Sequence, residues 1–311
     1  MTKSKIEWTD EVWNPVTGCS KVSDGCKNCY AERITARFRK DHLPWTLQNA
    51  AHNVVEHPER LDIPMHWKKP RRVFVNSMSD LFHEQVSLET ILYVWWVMEQ
   101  TPQHTYQILT KRPDRMMRIA KGEKPLPNVW LGVSVENQAA ADERIPLLLQ
   151  TPAAVRFLSC EPLLGPVDLL DINGALAQWT MRGNTLADIG PGGIHWVIVG
   201  GESGSAARPM KPEWARSLRD QCVEAGVPFF FKQWGEWTTA GIVDNPRFAG
   251  GRTYKLENYK HYISIESTLP VWREDNRILW DKDHIAVRVG KQWAGRLLDG
   301  HEWNEYPERG E

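Results

Sequence analysis

Six short runs of apolar or β-branched residues recur along the chain, each closing in a polar cluster: Val73–Asn76, Tyr106–Thr110, Val129–Ser134, Val155–Ser159, Trp196–Gly200 and Pro228–Lys232. Runs this short, apolar at successive positions, are the mark of strands covered on both faces, as in parallel sheets. Between them the spacing becomes helical. Leu88, Ile91, Leu92, Trp95 and Met98 fall on one face, as do Trp214, Leu218, Cys222 and Ala225. Pro212 suits a first helical turn and Gly226 a stop. Strand and helix alternating this often predict right-handed crossovers, and so either a barrel or an open doubly wound sheet. The expected fold is α/β, a parallel β/α barrel, full or partial and TIM-like, with Ile6–Thr9 as one further candidate strand.

The polar clusters behind the strands are rich in chemistry. They hold Asn76, Ser77, Ser79 and Asp80; Thr110, Lys111 and Arg112; Ser134, Glu136 and Asn137; Ser159 and Glu161; Gly200, Gly201 and Glu202; and Lys232 and Gln233. In a barrel all of these converge on the C-terminal face, where active sites of such folds lie. After Gln233 the pattern changes to glycine, proline, aromatic and charged residues. The expected organisation is therefore a barrel over 1–235, an insertion or small appended subdomain over 236–284, and a terminal segment over 285–311 that packs back on the barrel. Short strands are expected at Tyr262–Glu266, Ile278–Trp280 and Ile285–Val289, a helix at Lys291–Leu298 and a loop at Asp299–Glu305.

Composition narrows the function classes. With 41% hydrophobic and 25% charged residues the 311-residue chain is an ordinary globular protein. No apolar stretch is long enough for a signal peptide or a membrane span, so a cytoplasmic location without membrane partners is expected. The net charge of −1 gives no general attraction to nucleic acid, so any polyanion site must be local. Two basic stretches offer one: His66-Trp67-Lys68-Lys69-Pro70-Arg71-Arg72, and the set Arg33, Arg37, Arg39 and Lys40. Sixteen tryptophans are an excess that the pattern does not explain.

Three of the five cysteines, Cys19, Cys26 and Cys29, form C-x6-C-x2-C in a loop with Gly18, Ser23, Asp24 and Gly25. Small residues let the backbone curl until three thiolates face one centre, and the helix that follows, with Tyr30, Ile34 and Phe38 on one face, favours negative charge at its start. Three readings stand: an iron–sulfur cluster with one iron left open, a zinc site completed by a histidine, or free thiols. Cys222 lies on an apolar helix face and reads as packing; Cys160 ends a strand near the expected mouth.

The sequence resembles the phage Gp37/Gp68-like family, whose members look like outlying relatives of radical S-adenosylmethionine (SAM) enzymes. The resemblance covers nearly the whole chain. It rests on Trp13-Asn14-Pro15-Val16-Thr17-Gly18-Cys19, Gly25-Cys26-Lys27-Asn28-Cys29-Tyr30-Ala31-Glu32, Val73 through Phe82, Leu109-Thr110-Lys111-Arg112-Pro113, Gly200-Gly201-Glu202-Ser203-Gly204 and Gly295 through Gly300. It implies a [4Fe–4S] cluster on Cys19, Cys26 and Cys29 whose open iron binds SAM, and reductive release of a 5′-deoxyadenosyl radical. It also implies an electron donor and a substrate, with nucleic acid among the candidates. Radical SAM enzymes usually space these cysteines C-x3-C-x2-C, with an aromatic residue before the third; here the first gap is six and Asn28 stands before Cys29. Their Gly-Gly-Glu after the second strand is replaced by Asn76–Asp80. That loop, with Asn76, Ser77, Ser79 and Asp80, is therefore assigned to the methionine end. Lys111 and Arg112 are assigned to a carboxylate or phosphate, and Glu136, Glu161 and Glu202 to ribose, amino or substrate contacts. The expectation is a radical-SAM-like enzyme. The alternative is a non-enzymatic or non-SAM metal protein, zinc or iron–sulfur, with a structural or nucleic-acid-binding role.

Overall fold

The computed structural model describes residues 4, 6–172, 174–176, 193–239, 277–279, 285–288 and 290–307. Its centre is a seven-stranded parallel sheet: β1 (Glu11–Trp13), β4 (Arg72–Val75), β5 (Thr105–Thr110), β6 (Val129–Ser134), β7 (Val155–Cys160), β8 (Trp196–Gly200) and β9 (Phe229–Gln233), with β2 (Val16–Thr17) and β3 (Val55–Glu56) paired as a separate two-stranded ribbon. Spatial order follows chain order from β1 through β4 to β9 without reversal, so the sheet is singly wound and not of the doubly wound kind. It curls strongly into a half-barrel with helices between the strands. All six expected strands are present, displaced by at most a residue or two. The seventh lies at Glu11–Trp13 rather than Ile6–Thr9, which is turn; Trp8 from that turn is instead inserted against the sheet.

Side chains alternate between two cores. Val73, Val75, Leu131, Val133, Leu158, Val197, Val199, Phe229 and Phe231 pack outward against the helices. Phe74, Trp130, Phe157, Trp196, Ile198 and Phe230 point the other way, and Trp8 joins them. Trp196 makes edge contacts with Trp8, Trp130 and Phe230 at centroid distances of 6.2, 5.8 and 6.0 Å. Part of the tryptophan excess is therefore spent filling the concave face. Gly132 makes room there, since a Cβ would stand 2.6 Å from the Phe157 ring.

The helices start and stop on local chemistry. After α1 (Tyr30–Phe38) and the short α2 (Ala50–Asn53), Ser87 caps α3 (Leu88–Gln100) by accepting from the Thr90 N–H, and Asn137 caps α5 (Gln138–Leu149) through the Ala140 N–H. Pro113 opens α4 (Pro113–Ala120). Pro212 opens α6 (Pro212–Ala225), which Gly226 closes at φ 67°. Leu88, expected on the buried face of α3, is its first residue and is exposed; Ile91, Val94, Trp95 and Met98 do the packing.

A small antiparallel sheet joins β10 (Trp237–Thr239), β12 (Ile285–Arg288) and β11 (Arg277–Leu279). The expected strand at Tyr262–Glu266 lies outside the described residues, as do Trp280 and Val289. The final helix, α7 (Lys291–Ala294), stops four residues early because Gly295 turns the chain at φ 72°. The tail then covers the outer edge of β9: the Phe231 N–H bonds the Trp303 carbonyl at 3.0 Å, and the Trp196 indole bonds the Glu305 carbonyl at 2.8 Å. Among the described residues no helix is long and apolar enough to cross a membrane.

Candidate functional site

A cavity of about 430 Å³ opens at the C-terminal ends of the strands, within the range of small-molecule sites. Cys19, Cys26 and Cys29 all line it. They lie on the segment between β1 and α1 (Tyr30–Phe38). Gly18 lets the loop leave β2 (Val16–Thr17), because a Cβ there would stand 1.9 Å from the Asn53 carbonyl oxygen. The cysteines are neighbours in electrostatic terms: negative charge on Cys26 opposes ionisation of both Cys19 and Cys29. Burial is the larger influence and pushes Cys19 up to about 12, with Asp80 adding to it; it also raises Cys29, against backbone N–H groups at the start of α1. Among the described residues no three His, Cys, Asp or Glu side chains are gathered closely enough to hold one metal ion.

Three braces hold the cysteine loop to the strand ends. Arg112 is buried after β5; its Nη1 donates to Cys19 Sγ at 3.6 Å and to Asp80 Oδ2 at 3.2 Å, its Nη2 to Ser20 Oγ at 3.0 Å, and its Nε to Glu84 at 3.0 Å. Glu136 after β6 accepts from the Gly25 N–H at 3.4 Å and from Arg144 Nη1 at 2.8 Å. Glu202 after β8 accepts from Asn28 Nδ2 at 3.0 Å and bidentately from Arg208 at 2.7 and 2.9 Å. Burial acts to raise both glutamates, but the arginines and the loop donors outweigh it and hold both below the ordinary carboxylate range.

The remaining assigned residues divide between the walls and the scaffold. Asp80 lines the cavity, yet its carboxylate is saturated by Thr110 Oγ1 at 2.7 Å, the Phe82 and Lys111 N–H groups at 3.0 and 3.1 Å, and Arg112. Ser77 Oγ donates to Asn14 and Ser79 Oγ to the Val16 carbonyl. Asn76 adopts φ 61°, accepts the Val16 N–H at 3.2 Å and keeps a buried amide nitrogen without a partner. Lys111 lines the cavity, and among the described residues its amine takes no hydrogen-bond partner. Across the cavity, Lys232 bonds Glu161 at 2.7 and 2.8 Å. Gln233 donates to Ser203 Oγ at 3.0 Å and leaves its buried carbonyl oxygen unpartnered. Ser134 and Ser159 complete the floor.

Glu136 is thus set behind the cysteine loop rather than in the cavity wall. Arg144 and Arg208, which neutralise two braces, carry no sequence signal beyond lying eight and six residues after their glutamates. Gly201 and Gly204 serve close packing: a Cβ would meet the Trp234 carbonyl oxygen at 1.9 Å in one case and the Arg33 guanidinium at 1.8 Å in the other. The basic stretch His66–Arg72 enters the opposite end of the barrel, where Arg71 pairs with Glu11 and Arg72 with Asp10.

The chain belongs to the family described as a protein of unknown function, DUF5131, whose model matches residues 3–307. No curated protein and no solved structure matches it.

Proposed function

We propose that the protein is a radical-SAM-like enzyme in which Cys19, Cys26 and Cys29 hold a [4Fe–4S] cluster. The observation that carries this reading is the convergence of three thiols and the strand-end polar residues on one cavity at the mouth of a half-barrel. A cubane cluster takes each of three thiolates on a separate iron, whereas a single zinc ion needs four ligands within about 2.3 Å of one point. The donor set fits as well, because three thiolates around a cluster form an anionic group, and Arg112, Lys111 and the start of α1 supply positive counterparts. The cluster with bound SAM would supply one-electron cleavage to a 5′-deoxyadenosyl radical.

The chain's own residues have separable tasks in this reading. Asn76 offers a buried amide donor to the methionine end, next to Ser77, and Asp80 holds Thr110, Lys111 and Arg112 in place rather than touching SAM. Lys111 presents a cation to a carboxylate or phosphate. Glu161, Lys232 and Gln233 form the opposite wall, where a substrate would lie. Anaerobic reconstitution should give a brown protein with about four iron and four sulfide per chain that converts SAM to 5′-deoxyadenosine and methionine under dithionite. A colourless protein with stoichiometric zinc, or a cluster that leaves SAM intact, would overturn the proposal.

A further inference from the structure

The helix that follows the third cysteine is turned inside out. Tyr30, Ile34 and Phe38 lie at i, i+4 and i+8 of α1, the spacing of a core-facing stripe, yet all three are exposed, Phe38 at 76%. Val22, Leu43 and Leu47, before and after α1 in the chain, are exposed as well, Leu47 at 71%. One face of α1 thus presents three large apolar side chains to solvent, as interaction sites do. Its position matters. Tyr30 also lines the cavity, and its hydroxyl bonds the Ser77 carbonyl, so the stripe begins at the cavity edge, next to Cys29 in the chain.

Cations lie on and beside α1 in the chain. Lys27, Arg33, Arg37 and Lys40 are exposed and, among the described residues, take no acidic partner; Arg33 bonds only the Ser203 carbonyl, and Arg37 lies 5.6 Å from the Phe38 ring. The acids nearby are largely spent, with Glu32 on Lys21 at 2.7 Å and Asp41 on Arg39 at 2.8 Å, which leaves Asp24. On a chain of net charge −1 this is a local positive cluster beside an apolar stripe, the layout of a protein interface with an acidic counterpart. Aliphatic Ile34, Leu43 and Leu47 suit a protein surface better than stacked bases, which use aromatic platforms.

We infer that this face of α1 docks an acidic one-electron carrier protein that reduces the site beneath it. The inference rests on the proposed function, which requires an electron from outside at the cysteine loop. The carrier loses one electron and the cluster gains it; no bond forms or breaks. The apolar stripe would give the complex its short-range adhesion, and the cations its orientation and rate of encounter.

The test uses the cluster-loaded protein and a reduced, acidic plant-type ferredoxin as probe. Arg37→Glu with Lys40→Glu, and separately Phe38→Ser, should each slow ferredoxin-driven reduction at least tenfold, read as bleaching of cluster absorbance, while dithionite reduction keeps its wild-type rate. Calorimetry on the cluster-free protein should show ferredoxin binding that weakens with salt and is lost in the charge-reversed variant. Failure of dithionite to reduce the wild type would remove the enzyme reading itself. Normal dithionite reduction with ferredoxin rates unmoved by either variant would overturn the docking proposal alone. So would binding of a single-stranded oligonucleotide, or self-association of the chain, that depends on Phe38 and Arg37 in place of the ferredoxin.

Discussion

Arg112 reaches Cys19 across the cavity wall, with its Nη1 3.6 Å from Sγ and the same nitrogen 3.2 Å from Asp80. One buried guanidinium therefore answers to the thiol loop and to the β4 loop at once, and the charge on either is felt by both.

Arg112→Gln should cost the fold about 3–5 kcal/mol, because it strands Asp80 without its cation in a buried site. Arg112→Lys keeps the charge but loses the fork. It should fold, retain the cluster and lower its reduction potential as the N–H···S bond to Cys19 is lost. Urea unfolding checks the first effect and a potentiometric titration the second; an unchanged potential in Arg112→Lys would dismiss the tuning role.

Replacing Cys19, Cys26 or Cys29 by Ala should each abolish iron retention, whereas Cys222→Ala should leave it intact. Cys222 is fully buried on α6 and contributes packing alone. Iron and sulfide analysis decides the matter, and a Cys222→Ala protein without iron would disprove the ligand set.

The β4 loop separates binding from scaffolding. Asn76→Asp keeps the oxygen that accepts the Val16 N–H and tolerates φ 61°, but removes the unpartnered donor. It should weaken SAM by about 1–3 kcal/mol, roughly five- to 150-fold, with the cluster spectrum unchanged. Asp80→Ala should act differently, losing stability before it loses affinity, since its carboxylate holds four donors. Calorimetric SAM binding alongside thermal melts resolves the two; a stable Asp80→Ala protein with weakened SAM would return Asp80 to the ligand.

Stability should fall as pH drops from about 6.5 toward 4. His195 is buried beside Arg156, and burial, with that cation adding to it, lowers it from 6.5 to about 4; its Nδ1 accepts the Arg156 N–H at 2.9 Å and so must stay unprotonated. His83 is lowered to about 4 by burial and then by Arg112. In both cases the unfolded chain takes up the proton first as pH falls. The contribution is therefore complete above 6.5 and lost on the way to 4, on the order of 2–3 kcal/mol per histidine. Urea titrations of the cluster-free protein at pH 7.5 and 5 measure it, and His195→Gln should flatten the slope.

The strands were legible because two-sided burial imposes unbroken apolar runs, as in Val197–Val199 between its two cores. The mouth was legible because strand ends converge by topology alone. What stayed hidden was pairing across distance. Nothing in the run Asn76–Asp80 reveals that Thr110 and Arg112, some 30 residues on, saturate Asp80. Trp8 was misread as strand because an aromatic among polar neighbours has the same local pattern whether it extends a sheet or plugs one. The period of α1 identified a shared face correctly but carries no information on whether that face looks inward or out.

The tryptophans on the concave face also make the protein its own optical gauge. Trp8 borders the cavity and touches Trp196, which in turn touches Trp130, so excitation absorbed deep in the barrel lies one ring contact from the surface beneath the thiols. Iron–sulfur chromophores absorb across the range in which indole emits. Filling of the site by the proposed cluster should then be readable in real time as loss of native emission, without label or turnover, and Trp8→Phe and Trp45→Phe should mark how much of that signal comes from the two tryptophans that line the cavity.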